Sequence, residues 1–196
     1  EAALRVYPGK AVINSVNGEE ESLSAILPLA RKYGAAVVGL TLDRGGIPKT
    51  AEDRLDIARR ILDRALSLGI PRRDVYIDCL TLSASAEQAA VLETLRAVAM
   101  VKAELGLKTV LGVSNISFGL PAREAVNQSF LTLALGAGLD LPILNPNAAP
   151  MMSALRAYRL LAGIDVHGAE YIAAYGGDAS APAPAAPAPA GEMTLD

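Results

Sequence analysis

The chain has 196 residues, of which 52% are hydrophobic and only 4% aromatic, enough for one substantial aliphatic core. Lys and Arg total 18 against 21 Asp and Glu, and this net charge of −3, without a basic run, argues against a nucleic-acid partner. A single Cys79 and a single His167 exclude a disulfide framework and a Cys/His metal cluster, so we expect no metal. No uncharged apolar stretch reaches the ~20 residues of a membrane-spanning helix, and we expect a cytoplasmic protein without a membrane partner.

Short runs rich in β-branched residues alternate along the chain with longer amphipathic stretches. The runs predict strands, apolar enough to be buried on both faces, at Ala11–Val16, Ala35–Leu42, Val75–Leu82, Thr109–Asn115 and Leu139–Asn145. The stretches predict helices at Glu1–Tyr7, Glu20–Tyr33, Ala51–Leu68, Ala86–Leu105, Pro121–Ala137, Met151–Ala162 and Ala169–Tyr175. The first of these is expected to be the end of a helix that starts before Glu1.

Local signals mark the helix boundaries. Thr50 with Asp53 and Ser85 with Gln88 each predict a capping box, and Pro121 is typical of a first helical turn. Glycines follow the helices where a left-handed C-cap is favoured, at Gly34, Gly69, Gly106 and Gly138.

Consecutive βα units predict parallel strands joined by right-handed crossovers, which leaves a doubly wound sheet or an eightfold barrel. Nearly every predicted strand becomes polar at its carboxyl end, at Asn14 and Asn17, Thr41 and Asp43, Asp78, Ser114, Asn115 and Ser117, and Asn145 and Asn147. All strand ends meet at one mouth in a barrel, whereas a doubly wound sheet concentrates polar groups at its switch point. We therefore expect five βα units of a TIM (β/α)8 barrel, with about three further units before Glu1.

The C-terminal region has a different composition. Residues 179–190 alternate Ala and Pro, a pattern typical of an extended, semi-rigid spacer. The sequence thus predicts a barrel over residues 1–175, an Ala/Pro-rich linker over 176–191 and the start of a following domain at 192–196.

The polar groups at the predicted mouth are mainly neutral amides and hydroxyls, with the carboxylate of Asp78 among apolar neighbours. Asn offers both donors and acceptors, and a carboxylate accepts two hydrogen bonds from adjacent N–H groups. The sequence contains neither a G-x-G-x-x-G fingerprint nor a Walker loop. This set favours an uncharged, flat heterocycle such as a pterin or purine edge.

Four sequence runs resemble a known family: INSVNGEEE (13–21), GLTLDRGGIPKTAEDRL (39–55), VYIDCLTLSAS (75–85) and GVSNISFGLPAREAVNQSFLTLALGAGLDLPILNPN (112–147). They are similar to the pterin-binding, methyltetrahydrofolate-binding domain of cobalamin-dependent methionine synthases and of methyltetrahydrofolate:corrinoid methyltransferases. The resemblance implies a (β/α)8 barrel that takes a methyl group from methyltetrahydrofolate. It also implies cobalamin, or another corrinoid, carried by a cobalamin-binding module of the same protein.

The resemblance implies roles for three residues. Asn14 corresponds to an Asn that hydrogen-bonds the pterin, and Asp78 to the Asp that holds the aminopyrimidine edge. Asn115 corresponds to the Asn beside the methyl-bearing ring nitrogen, where a hydrogen bond that strengthens as charge develops makes it the catalytic candidate. A second pterin-binding Asp of the family is expected before Glu1. Cys79 stands where many relatives have Pro, and we expect it to be a small core residue.

Further candidates for substrate contact are Ser117, Asn145 and Arg123. Arg123 either meets the glutamate tail of folate or is a solvated helix residue, and Asn145 either touches substrate or forms a turn beside Pro146. Asn14 has the alternative of capping the turn that follows it.

The expected function is methyl transfer from methyltetrahydrofolate to cob(I)alamin in methionine synthesis. A free-standing methyltetrahydrofolate:corrinoid methyltransferase is the first alternative. A dihydropteroate synthase-like enzyme is the second, although the late strand ends lack the Lys/Arg pair expected for a pyrophosphate. The third is a non-catalytic pterin-binding part that needs complementation.

Overall fold

A computed structural model describes residues 1–176 of the chain. Its strands are β1 (Val12–Val16), β2 (Ala36–Leu40), β3 (Val75–Asp78), β4 (Lys108–Gly112) and β5 (Leu141–Ile143). Its helices are α1 (Ala2–Val6), α2 (Glu20–Tyr33), α3 (Ala51–Ser67), α4 (Ala89–Met100), α5 (Arg123–Gly136), α6 (Ala149–Leu161) and α7 (Ala169–Tyr175). Apart from Gly176, the predicted linker and the segment from residue 192 lie outside the described residues.

The strands form one parallel sheet in the order β1-β2-β3-β4-β5. Strand order that follows chain order is typical of a (β/α)8 barrel, whereas a doubly wound sheet reverses its order at a switch point. The predicted α/β class with parallel strands is confirmed. The sheet belongs to a compact unit over Glu1–Tyr158, and a second unit begins at Arg159 and includes α7.

One face of the sheet carries the helices and forms the core. Val37, Ile77 and Leu111 on this face are all completely inaccessible, and they belong to the same core as Ile61 of α3. The other face is partly open at the two edge strands, where Val12 is 55% and Ile143 53% exposed. The expectation of strands buried on both faces is therefore wrong for β1 and β5, because each has one strand neighbour and no described helix over its second face.

The helix boundaries confirm some local signals and correct others. Thr50 caps α3 by accepting a hydrogen bond from the Asp53 N–H at 3.2 Å. The capping box predicted at Ser85 is wrong, because the Ser85 hydroxyl donates to the Phe118 carbonyl and α4 begins at Ala89. The predicted start of a helix at Pro121 is also wrong: Ala122 adopts a left-handed conformation, with φ of 50°, and α5 follows it.

Two strands are shorter than the sequence predicts. β3 ends at Asp78 because Leu80 adopts a φ of 62°, which an extended strand does not allow. β4 ends at Gly112 because Val113–Ser117 turn into a 3-10 helix. Both terminations place backbone irregularity at the carboxyl edge of the sheet. Within residues 1–176, none of the helices has the length and apolarity needed to cross a membrane.

Candidate functional site at the carboxyl edge of the sheet

The register of the sheet places Asn14 and Asp78 on the same face. Asn14 pairs with Val38, and Asp78 pairs with Leu40, two residues further along β2. Side chains two residues apart in a strand point to the same face. Strands lie about 4.8 Å apart, so β1 and β3 are about 10 Å from each other. Asn14 and Asp78 both lie on the partly open face of the sheet, and the distance between their strands leaves room for a flat ligand between the two side chains.

Asp78 is held at the end of β3 by backbone contacts. Its Oδ1 accepts a hydrogen bond from the Leu80 N–H at 2.8 Å, and its carbonyl accepts from the Thr41 N–H at 3.0 Å. Oδ2 has no hydrogen-bond partner among the described residues. Burial raises the pKa of the carboxyl to about 6, and the Leu80 N–H opposes that rise. The group is ionised in most molecules at pH 7, with one oxygen available to a ligand.

Asn115 lies in the 3-10 turn after β4, and its side chain folds back over the strand end. Its Nδ2 lies 3.0 Å from the position that a Cβ would occupy at Gly112. Gly112 lies two residues after Val110, the β4 partner of Asp78, so both positions face the same side of the sheet. The Asn115 amide therefore lies over the face that bears Asp78. The side chain is exposed and has no hydrogen-bond partner within residues 1–176.

The loop after β3 is attached to the turn that bears Asn115. The hydroxyls of Ser83 and Ser85 donate to the Phe118 carbonyl at 2.6 and 2.7 Å. The Ala84 N–H donates to the Ile116 carbonyl at 2.9 Å. The segments that carry Asp78 and Asn115 are therefore joined to each other.

Arg123 and Ser117 brace the same turn from the α5 side. The Arg123 Nε donates to the Ser117 hydroxyl at 2.9 Å and its Nη2 to the Ser114 carbonyl at 3.1 Å. Its guanidinium stacks on the Phe118 ring at 4.9 Å from the centroid. Ser117 is completely buried. Both residues support the backbone around Asn115, and direct contact of either with substrate stays a prediction.

Asn145 forms a local turn. Its Oδ1 accepts a hydrogen bond from the Asn147 N–H at 3.0 Å, as in an Asx turn.

The turn after β1 is capped by Asn17 and not by Asn14. The Asn17 Oδ1 accepts a hydrogen bond from the Glu19 N–H at 3.0 Å. Asn14 is exposed, with no side-chain partner among the described residues, so its amide is available to a ligand.

Two other sequence predictions concern the lone Cys79 and His167. Cys79 is fully buried in the core, as predicted, and burial raises the pKa of its thiol. His167 is exposed. Within residues 1–176, no three His, Cys, Asp or Glu side chains cluster as metal ligands would.

One residue near the site was missed by the sequence interpretation. Arg54 is completely buried beside the loop after β3, and its Nη1 donates to the Cys79 carbonyl at 3.1 Å. The signal was available, because Arg54 lies on the apolar stripe of α3 that runs through Ala51, Leu55, Ala58, Ile61 and Ala65.

Parallel βα units in sequential order define an α/β domain of the barrel type. The chain belongs to the family of pterin binding enzymes, whose model matches residues 1–145 and whose fold is of the TIM-barrel type. The resemblance seen in the sequence is thereby confirmed.

Individual relatives give the same family. The chain is 32% identical over 164 residues to the methylcorrinoid:tetrahydrofolate methyltransferase of Eubacterium limosum, covering 79% of this chain and 58% of that protein. It is 36% identical over 158 residues to the methionine synthase of Mycobacterium leprae, covering 74% of this chain and 13% of that protein. The methionine synthase of Mycobacterium tuberculosis is 35% identical over 158 residues, with the same two coverages of 74% and 13%. The chain thus spans less than two thirds of each of these relatives.

Proposed function

We propose that this chain is the folate-binding part of a methyltransferase that moves a methyl group between a tetrahydrofolate and a corrinoid. The observation that supports it most is the placement of an ionisable Asp78 and an unpartnered Asn115 amide on one face, in a chain of the pterin binding family. Of the relatives, one is named a methylcorrinoid:tetrahydrofolate methyltransferase and two are named methionine synthases.

In this proposal Asp78 recognises the aminopyrimidine edge of the pterin. The free Oδ2 and the remaining lone pair of Oδ1 accept hydrogen bonds from two adjacent N–H groups of the ligand. A charged acceptor in a half-buried position makes such bonds stronger than neutral ones. Asn14 supplies a donor and an acceptor from the β1 side, where its amide has no described protein partner.

Asn115 acts on the ring nitrogen that exchanges the methyl group. A tertiary amine is a poor leaving group, so charge develops on this nitrogen as the carbon–nitrogen bond breaks. The Asn115 Nδ2 donates a hydrogen bond that strengthens with that charge and so stabilises the transition state. The ring nitrogen keeps the electron pair of the broken bond and takes up a proton from solvent to become the N–H of tetrahydrofolate. A corrinoid supplies the cobalt centre that takes or gives the methyl group. We place it in a separate module, joined through the Ala/Pro segment at 176–191.

The test is methyl transfer from 5-methyltetrahydrofolate to free cob(I)alamin, followed by the change in corrinoid absorbance. It uses the 196-residue chain and the product of the complete reading frame, each as wild type and as Asn115→Ala. Asn145→Ala is the matched control, because Asn145 serves a local turn. Folate affinity is measured in parallel by titration calorimetry.

We expect wild type to transfer the methyl group and Asn115→Ala to do so about 100-fold more slowly. Folate affinity of that variant should stay within about threefold, because the hydrogen bond matters mainly in the transition state. If both the 196-residue chain and the longer product bind the folate as wild type but transfer no methyl group, the result would instead support a non-catalytic pterin-binding role. Full activity of Asn115→Ala would remove Asn115 from the mechanism.

A further inference from the structure

Arg54 is a buried cation in the first turn of α3, and its surroundings do not neutralise it. The side chain is completely inaccessible, and its Nη2 is buried without a hydrogen-bond partner among the described residues. Burial lowers the pKa of the guanidinium, which is opposed by the nearby carboxylates of Glu93 and Glu87. Neither carboxylate forms an ion pair with it in the described residues, since Glu93 is bound to the Ala51 N–H and to Arg96.

The bonds that Arg54 does make converge on backbone carbonyls at the carboxyl edge of the sheet. Nε donates to the Pro48 carbonyl at 2.9 Å, in the loop after β2. Nη1 donates to the Cys79 carbonyl at 3.1 Å, the Leu80 carbonyl at 3.3 Å and the Thr94 hydroxyl at 2.8 Å. A single guanidinium therefore ties the loop after β2, the loop after β3 and α4 together.

The segment held in this way is strained. Leu80 has a φ of 62°, in the left-handed region that L-residues other than Asn and Asp rarely adopt. Its carbonyl is fixed from α3 by Arg54 and from α4 by the Thr94 hydroxyl at 3.0 Å. Its N–H is the donor to the Asp78 Oδ1 at 2.8 Å. The strained conformation of Leu80 thus directs its N–H towards Asp78, and this N–H orients the Asp78 carboxylate.

A buried cation with an unpaired donor usually destabilises a fold, and an apolar side chain of similar length packs there at lower cost. Hydrophobic residues fill the rest of this stripe of α3, from Leu55 to Ile61. Packing therefore gives no reason for an arginine at this position, whereas the three carbonyl contacts do.

We propose that Arg54 is a positioning residue, which fixes the Cys79–Leu80 backbone so that the Leu80 N–H holds the Asp78 carboxylate in its ligand-ready orientation. The functional meaning of this role rests on the proposed recognition of folate by Asp78. The contact between Arg54 and the backbone is a property of the unliganded protein and can be tested without folate.

The test compares Arg54→Met, Arg54→Lys and the control Arg59→Met in the unliganded 196-residue chain. Arg59 lies on the same helix but is exposed and pairs with Asp56 and Glu104, away from β3. Carbon-detected NMR gives the pKa of the Asp78 carboxyl and the amide shift of Leu80, and thermal unfolding gives the midpoint of each variant. Calorimetry with 5-methyltetrahydrofolate is the separate functional arm.

We expect Arg54→Met to move the Leu80 amide resonance and to raise the Asp78 pKa by about half a unit or more, because the carboxylate loses its N–H donor. The charged groups facing this cluster, Glu87 and Glu93 from the α4 side, add to that rise once the cation is gone. Arg54→Lys keeps the charge and one donor nitrogen in place of the three of the guanidinium, so it should recover part of the change, and Arg59→Met should show none. Folate affinity of Arg54→Met should fall about tenfold.

An unchanged Asp78 pKa and Leu80 shift in folded Arg54→Met would overturn the proposal. If Arg54→Met does not fold, Arg54→Lys decides it by the same two NMR readouts. Failure of wild type to bind folate would contradict the proposed function while leaving the Arg54 result interpretable.

Discussion

The ends of β3 and β5 are both polar, but they are built in different ways. At the β3 end, Asp78 is half-buried, and the backbone after it is fixed by Arg54 and Thr94 from two helices. At the β5 end, Asn145 is exposed and bonds only its own turn, through the Asn147 N–H. The sequence alone shows a similar polar residue after each strand.

The difference separates a polar group that is free to act from one that completes local structure. The Asp78 Oδ2 and the Asn115 side-chain amide have no hydrogen-bond partner among the described residues. The backbone next to each of them is nevertheless fixed by hydrogen bonds from side chains of neighbouring helices. A side chain left unsatisfied on an immobilised backbone is suited to bind a ligand, because little conformational entropy is lost on binding. Asn145, by contrast, is exposed, and its Oδ1 already accepts a hydrogen bond from its own turn.

The largest effect is expected from Asp78→Asn. Removing the charge replaces one acceptor by a donor and leaves a ligand N–H unpaired, so folate affinity should fall at least 100-fold. Asp63→Asn, an exposed site on α3, is the matched control and should bind as wild type does. Titration calorimetry at pH 7 measures both, and equal affinities of the two variants would contradict the role of Asp78.

Gly112→Ala should have the next largest effect, through Asn115. A Cβ at Gly112 would lie 3.0 Å from the Asn115 Nδ2, so the amide has to move. We expect methyl transfer to slow about tenfold, since catalytic groups depend on sub-ångström placement. Gly136→Ala is the control, because a Cβ there meets nothing within 4 Å. A Gly112→Ala enzyme with normal turnover would show that the position of the amide does not matter.

Folate affinity should depend on pH through Asp78. Its pKa of about 6 means that most molecules lose the carboxylate charge between pH 7 and pH 5. If only the ionised form accepts the pterin, affinity falls about tenfold over this interval and levels off above pH 7. Calorimetry from pH 5 to 8 measures the curve, and Asp78→Asn should flatten it. If the affinity of wild type did not change between pH 5 and pH 7, recognition of the folate would not depend on the charge of Asp78.

A smaller effect is expected on stability. Because burial raises the Asp78 pKa from 3.8 to about 6, the folded chain binds its proton more tightly than the unfolded chain. This contribution stabilises the fold below pH 4 and is lost as the pH rises through 6. Asp78→Asn should therefore increase the free energy of unfolding at pH 7 by about 3 kcal/mol, measured by urea titration. A decrease would mean that the carboxylate stabilises the unliganded fold.

The smallest effect is expected from Asn145→Ala. Its loss removes one exposed turn bond, so folate affinity should change less than about threefold. Calorimetry on this variant beside Asp78→Asn makes the comparison of the two strand ends direct. A loss as large as that of Asp78→Asn would assign substrate contact to the β5 end.

The sequence predicts the elements best where signals are local. The bounds of α2, Glu20–Tyr33, are those expected from its amphipathic pattern and from Gly34, whose left-handed conformation ends the helix. The signal at Ser85 was misleading because its hydroxyl binds the Phe118 carbonyl, 33 residues away. Capping rules consider only residues that are neighbours in the chain, so they cannot predict a hydrogen bond between residues this far apart.

The chemistry of the site was partly predictable and its geometry was not. Asp78 stands out as a carboxylate in an apolar strand, and its position on the sheet follows from the alternation of side chains. The return of Asn115 over Gly112 depends on a 3-10 turn that periodicity does not reveal. The anchoring of Leu80 by Arg54 depends on packing between α3 and the loop after β3.

The most direct test of the account is the pKa of the Asp78 carboxyl, measured by carbon-detected NMR with and without saturating 5-methyltetrahydrofolate. We expect a value of about 6 in the free protein and a fall of at least one unit in the complex, because a ligand that binds the ionised form stabilises it. An unchanged pKa in a protein that demonstrably binds the folate would contradict recognition of the pterin by Asp78.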